Sequence, residues 1–315
     1  MKIAPSEPAA SPARYACIDV GTNSTKMLIA ELGENPCAVF TLSVVTRLGE
    51  GMTPNTPFLR EAPIRRTLDA LAQMADAARQ HNAIATIAVG TAALRDAENR
   101  DEFLRRARER TGVTVEIIPG EEEARLSYLA VRRDPVWRGE SHLRVIDIGG
   151  GSTEIIQGEP GSERIESRIS VNLGAVKLTE GFLRSDPVSV TQLGDANGAA
   201  AEQFAQVKVT QDADALLVGV GGTLTNLAAM QLGRLPEADE LNGVRLSSET
   251  LSILTNRLAN ATIEERKTIP GLDPRRADII LAGAILLSQA LAHLGASEVA
   301  VSTRGLRWGV LFDRF

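Results

Sequence analysis

The sequence predicts an α/β protein of two domains, each a mixed sheet with helices on both faces, opposed across a central cleft. Three observations carry this expectation. The stretches D-V-G-T-N-S-T-K from Asp19 and D-I-G-G-G-S-T-E from Asp147 align residue for residue, each behind one apolar run and ahead of another. Strand and helix patterns then follow each copy in the same order. A chain of 315 residues with 43% hydrophobic content can also fill two ordinary cores.

The opening MKIAPSEPAASPAR is rich in Pro, Ala and Ser and has no apolar stretch, so residues 1–14 read as a disordered leader, not a signal peptide. The first domain, residues 15–125, begins with three runs rich in β-branched and apolar residues, YACIDV, KMLIAEL and AVFTLSVVTRL, separated by Gly, Asn and Pro. EAPIRRTLDALAQMADAARQHN places Ile64, Leu68, Leu71, Met74 and Ala78 at helical spacing. AIATIAVGT, AENRDEFLRRARERTG and VTVEIIPG then alternate strand, helix and strand.

After the polar connection VRRDPVWRGESH, the second domain, residues 126–303, restarts with the strands LRVIDIG, STEIIQG and RIESRISVN. The helical VTQLGDANGAAAEQFAQV, the strand ALLVGVGG and further helices follow. The most apolar helix, RADIILAGAILLSQALAHLG, is interrupted by Ser288, Gln289 and His293 and reads as a core helix, not a membrane span. EVAVSTRGLRWGVLFDRF supplies a last strand and a helix over 304–315 that can cross back onto the first domain.

Composition excludes several classes of function. With 34 Lys and Arg against 40 Asp and Glu the formal charge is -6, so no global basic field recruits nucleic acid or an anionic membrane. An anionic substrate must be met locally. Two cysteines, Cys17 and Cys37, and three dispersed histidines form neither a disulfide framework nor zinc-ligand spacing, which fits a reducing cytoplasm. A P-loop signature is missing, Leu224 breaks the G-x-G-x-x-G that Gly219 begins, and no nucleophile-elbow motif occurs.

The repeated turns carry the chemistry. A strand–glycine turn–strand aims several backbone N–H groups one way and lets an anion approach without obstruction from Cβ atoms. Gly21, Thr22, Asn23 and Ser24 form one phosphate cradle and Gly149, Gly150, Gly151, Ser152 and Thr153 the other. A third loop, with Gly221, Gly222 and Thr223, follows a strand and opens a helix, whose N–H groups and dipole favour an anion. Asp19, Asp147 and Glu154 would repel phosphate unless a divalent cation, most simply Mg²⁺, sat between them. Glu121, Glu122 and Glu123 open a helix after Gly120, where the dipole alone favours acidic residues, yet one of them can also reach the cleft and orient a water.

Taken with GTAALRDAENRDEF, PGEEEARL, GVGGTLTNLAAM and STRGLRWGVL, in that order, these loops resemble the exopolyphosphatase/guanosine pentaphosphate phosphohydrolase (Ppx/GppA) family. The resemblance covers nearly the whole chain after the leader. It implies two actin-like domains of the sugar kinase, Hsc70 and actin superfamily, with a ribonuclease H-like core. It implies Mg²⁺-dependent attack of water on a terminal phosphoanhydride. It further implies that Glu122 is the catalytic glutamate, that Arg95 lies near substrate, that Arg47 fills another motif position, and that Asp147 and Glu154 associate with the metal, joined on loop grounds by Asp19.

The chain ends at Phe315, as the short two-domain form of the family would, and Trp308 stands where relatives often carry an acidic residue; we read it as packing the last helix. The expected substrate is inorganic polyphosphate, preferably short, with guanosine pentaphosphate as the alternative and a phosphotransferase of the same superfamily as a further one. A homodimer is the one protein partnership left open. Arg47, Arg95, Arg125, Lys177, Arg304 and Arg307 are the candidate phosphate-track residues.

Overall fold

The computed structural model describes residues 12–53, 55–208 and 215–315; residues 1–11 of the expected leader lie outside them. The first half builds one sheet from β1 (Arg14–Val20), β2 (Ser24–Glu31), β3 (Cys37–Val45), β4 (Ala83–Gly90) and β5 (Val115–Ile117). Its order is β3-β2-β1-β4-β5, antiparallel from β1 through β3 and parallel from β1 through β5. The second half repeats this order with β6 (Leu143–Ile148), β7 (Thr153–Gly158), β8 (Ile165–Val171), β9 (Leu216–Val220) and β11 (Glu298–Val301), and adds the short antiparallel edge strand β10 (Arg245–Ser247). The two halves are thus built on one plan. Sequence patterning did not reveal β10, whose three residues are too few to show a period.

The central strands β1 and β6 are buried on both faces and read as continuous apolar runs, whereas the edge strand β3 alternates between exposed and half-buried residues. Helix α1 (Glu61–Gln80) buries Ile64, Leu68, Leu71, Met74 and Ala78 against the first sheet, as its spacing predicts. The short α2 (Ala92–Asp96), which patterning did not separate, precedes α3 (Arg100–Thr111), which ends at Gly112 in the left-handed conformation. In the second half α5 (Ala175–Phe182), α6 (Val190–Ala205), α7 (Gly222–Leu232), α8 (Ala238–Leu241), α9 (Ser248–Ala259) and α10 (Ile263–Arg266) surround α11 (Ile280–Leu294). Helix α11 is the predicted core helix, buried through Ile280–Leu287. Among the described residues no helix is long and apolar enough to cross a membrane.

Two helices tie the halves together. Helix α4 (Gly120–Arg132) follows the first sheet in sequence but packs on β6, β7 and β8 of the second. Helix α12 (Leu306–Arg314) ends the second half yet packs on β1, β2 and α4. At their crossing a Cβ on Gly309 would lie 1.8 Å from the Leu126 carbonyl oxygen, so only glycine permits this approach. The expected boundary between residues 125 and 126 falls inside α4, which is continuous there. Trp308 is buried between the Arg304 guanidinium, 4.5 Å from its ring centre, and Phe312.

Candidate active site

The carboxyl ends of β1, β6 and β9 meet the two crossing helices at a cleft of about 310 Å³. This is where an α/β sheet of this kind exposes backbone donors and side chains together. The repeated turns close in the same way: Gly21 N–H donates to the Ser24 carbonyl at 3.2 Å, and Gly149 N–H to the Ser152 carbonyl at 2.9 Å. Gly21, Thr22, Asn23 and Ser24 line one wall and Gly149, Gly150, Gly151 and Ser152 another. The two loops also touch. A Cβ on Gly150 would lie 3.2 Å from the Asn23 nitrogen, and one on Gly151 2.6 Å from Thr22 Oγ1.

Thr153 does not share this role: it is fully buried at the start of β7 and donates through Oγ1 to the Leu173 carbonyl at 2.8 Å. Gly221, Gly222 and Thr223 line the floor where β9 turns into α7. Gly221 has φ +92, in the left-handed region, and a Cβ there would sit 2.7 Å from Asp147 Oδ1, so glycine is required on both counts.

The charged groups are set by the hairpin registers. Asp19 on β1 pairs across the sheet with Lys26 on β2, and Asp147 on β6 pairs with Glu154 on β7. The same position of the repeat therefore carries a base in one half and an acid in the other. Asp19, Lys26 and Asp147 line the cleft, with Asp147 Oδ2 accepting from Ser127 Oγ at 3.1 Å. Glu154 lies behind the lining, 1% exposed, with Oε1 accepting from Ser170 Oγ at 2.8 Å. Arg276 and Arg307 add two guanidinium groups to the cleft, the latter anchored by donation to the Met27 carbonyl at 2.7 Å.

The three glutamates that open α4 lie in three different surroundings. Glu122 points away from the cleft and forms a bidentate pair with Arg125, at 2.7 and 2.8 Å, which is itself held by Asp313 of α12. Glu121 is exposed beside Arg168. Glu123 is the one that lines the cleft, 8% exposed, and its Oε2 accepts from Arg95 Nη1 at 2.5 Å. Helical geometry explains the difference. Successive residues diverge by about 100° around the axis, so the residue three positions into the helix faces the second sheet while its neighbour faces α12.

Burial dominates the electrostatics. It pushes the Glu123 carboxyl up to about 7, against the pull of Arg95. It also raises Asp19 and Asp147, although Lys26 opposes both, and raises Glu154, which is further lifted by Glu123 and Asp147. Burial and the neighbouring Arg276 lower the Lys26 ammonium to about 8. A carboxyl poised near neutrality, in a cleft that also holds a lysine lowered to about 8, suits proton transfer.

The donor set fits a divalent cation held by few carboxylates. Among the described residues no three Asp, Glu, His or Cys side chains converge to enclose an ion. Asp19 Oδ1 and Glu154 Oε2 are, however, buried without a hydrogen-bond partner. Mg²⁺ keeps several waters and uses one or two carboxylates plus substrate phosphates, which matches two aspartates facing three cationic side chains across a cleft. Sequence reasoning missed Lys26 and Arg276 as site residues and offered Glu123 only as one of three adjacent glutamates. The repeat did hold the signal for Lys26, because it aligns with Glu154; Arg276 had none.

Comparison with known proteins agrees with this geometry. The model of the Ppx/GppA phosphatase family matches residues 27–315. Exopolyphosphatase 2 of Mycobacterium tuberculosis is 32% identical over 314 residues, covering 94% of this chain and 97% of that protein. The crystal structure of the Aquifex aeolicus Ppx/GppA family member superposes with a TM-score of 0.79 at 31% identity, over 96% of this chain and 97% of that one. An exopolyphosphatase from Cytophaga hutchinsonii does so with a TM-score of 0.83 at 27% identity, over 95% and 96%. Matched by the family model over residues 27–315 and by a relative of 32% identity along nearly its whole length, the chain belongs to the Ppx/GppA phosphatase family of phosphoanhydride hydrolases.

Proposed function

We propose that the cleft hydrolyses the terminal phosphoanhydride bond of inorganic polyphosphate, with Glu123 as the base that deprotonates the attacking water and Mg²⁺ as the cation. The observation that carries the reading is the position of Glu123: buried, facing the cleft, and fixed by Arg95. The names of the relatives in Mycobacterium tuberculosis and Cytophaga hutchinsonii point to the same substrate.

In this reading the N–H groups of the loops at Gly21–Asn23, Gly149–Gly151 and Gly221–Gly222 cradle successive phosphates. Lys26, Arg276 and Arg307 offset their charge. Asp19 and Asp147 would hold Mg²⁺, which supplies charge neutralisation at the phosphoryl oxygens, while Glu154 supports them from behind. Glu123, held by Arg95, orients the water and takes its proton. A phosphotransferase needs an acceptor beside the phosphate and must exclude water; a buried carboxyl poised near neutrality at the reacting end serves hydrolysis instead.

The cleft volume and its three central cations suit a few terminal phosphates, hence short chains. Of the six candidate track residues only Arg307 lines this cleft. The others are held in ion pairs: Arg47 with Asp278, Arg125 with Glu122 and Asp313, Lys177 with Asp96 and Arg304 with Asp134, all away from the cleft lining, and Arg95 with Glu123 at its edge. Guanosine pentaphosphate ends in the same kind of phosphoanhydride and is the natural competitor. The test is phosphate release from each compound without any acceptor, in Mg²⁺ and in EDTA. We expect release from polyphosphate in Mg²⁺ alone; a strict need for an acceptor hydroxyl would replace hydrolysis with phosphotransfer.

A further inference from the structure

Behind the reacting end of the cleft lies a second cavity of about 410 Å³. The two are linked through one side-chain pair: Glu123 lines the cleft, and Arg95, bonded to it at 2.5 Å, lines the second cavity. Ser170, which bonds the buried Glu154, and Gly120, at the start of α4, also line the second cavity. They are in tight contact, since a Cβ on Gly120 would lie 2.6 Å from Ser170 Oγ. The cavity is polar, and each acid in its lining already has a cation: Asp96 is held by Lys177 at 2.6 Å, and Glu121 faces Arg168 at 3.5 Å. Arg95 and Arg168 are themselves paired, with Glu123 and Glu121, so the lining is balanced in charge and an anion there meets two guanidinium groups without the enclosing donors that would retain it.

We propose that this second cavity is the exit for orthophosphate, which leaves past Arg95 on the far side from the chain. The inference rests on the polyphosphate reading above. Water adds to the terminal phosphorus, the bridging P–O bond breaks, the bridging oxygen stays with the shortened chain, and the water's proton passes to Glu123. The freed phosphate then lies at Glu123, with the shortened chain filling the cleft in front of it. Its way back is blocked by that chain; its way forward is one arginine wide. Neutralised by the proton, Glu123 no longer holds Arg95 as an ion pair, and Arg95 can swing with the product. Orthophosphate release therefore does not wait for the chain to dissociate.

Asn172 is exposed and lines the second cavity only, so Asn172→Trp fills the exit without touching the cleft. Asn172→Ala removes the same hydrogen bond to Lys177 without adding bulk and serves as its control. Rapid quenching measures bond cleavage, and a fluorescent phosphate-binding protein measures free orthophosphate, with medium-length polyphosphate as the substrate. In the wild type and in Asn172→Ala, release should keep pace with cleavage. In Asn172→Trp the first cleavage should keep its rate while release lags it at least tenfold, leaving a burst and an unchanged KM. Arg168→Trp, on the same rim, should reproduce the lag if the first variant folds poorly. Release that keeps pace in both tryptophan variants overturns the exit, as does a KM raised in those variants over wild type by a factor that grows with chain length, which would make the cavity part of the chain's own track. A wild-type protein that cleaves no polyphosphate would instead refute the functional reading on which the exit rests.

Discussion

Lys26 and Glu154 occupy the same position of the duplicated hairpin, opposite Asp19 and Asp147, and differ in sign. With Glu123 raised to about 7 and Lys26 lowered to about 8, the pH profile of kcat/KM should be a narrow bell. Below the lower value Glu123 is protonated and cannot accept from water; above the upper one Lys26 loses the charge that holds phosphate. Lys26→Arg should extend the alkaline limb while leaving the acid limb in place, and an unchanged alkaline limb would remove Lys26 from substrate binding. Burial also makes Asp19 a cost to the fold. Its pKa is raised in the folded state, so its contribution to stability is fully present below the unfolded carboxylate value and is lost as pH rises through the folded one. Asp19→Asn should therefore raise Tm at neutral pH by about 2–4 °C and abolish activity, with the gain vanishing in acid. A fall in Tm at neutral pH would contradict this. At this scale the sequence was only partly legible. It displayed the three adjacent glutamates, but which of them faces the cleft depends on the rotation of α4 against the second sheet and α12, which adjacency does not encode.

The elements were more legible, because periodicity and turn chemistry are local properties. Helix α1 and the five strands around the two phosphate loops lie where their patterns put them, within a residue or two. The three glutamates after Gly120 mark the start of helix α4 in the sequence, but not that the helix covers the second sheet. That packing is decided by Tyr128, buried against Gly158, and by Gly309 of α12, both remote in sequence. Gly309→Val should thus drive α4 and α12 apart and cost about 1–3 kcal/mol of stability, read as a lower Tm; a wild-type Tm would show that the crossing is loose. The loops answer to a different test. Gly150→Val meets the opposite loop at Asn23 and Thr22, and Gly222→Val meets the Arg276 guanidinium, 2.2 Å from the ideal Cβ position. Both should raise KM for polyphosphate with little change in Tm, and an unaltered KM in both would reduce these loops to structural turns.

For the whole molecule, the internal repeat announced two α/β halves and a cleft, and the order of strands in the two sheets bears that out. What it could not announce is which surface charges converge. Five of the six track candidates are tied up in ion pairs, four of them with acids that do not line the cleft and Arg95 with Glu123, which does. A chain held only at its end should dissociate often, so partial digestion of long polyphosphate should give a smooth downward ladder. KM should also rise with salt as the Debye length falls below about 10 Å; full-length chains persisting beside free phosphate, with no intermediates, would reveal a longer track. The central claim is that this cleft activates water through Glu123. Phosphate release from polyphosphate in Mg²⁺ by the wild type, Glu123→Gln and Glu122→Gln, compared side by side, tests it most directly. We predict that Glu123→Gln lowers kcat by a factor on the order of 10²–10⁴ with polyphosphate binding retained, while Glu122→Gln stays within a few-fold of wild type. Equal losses in the two variants, or the larger loss in Glu122→Gln, would contradict the account.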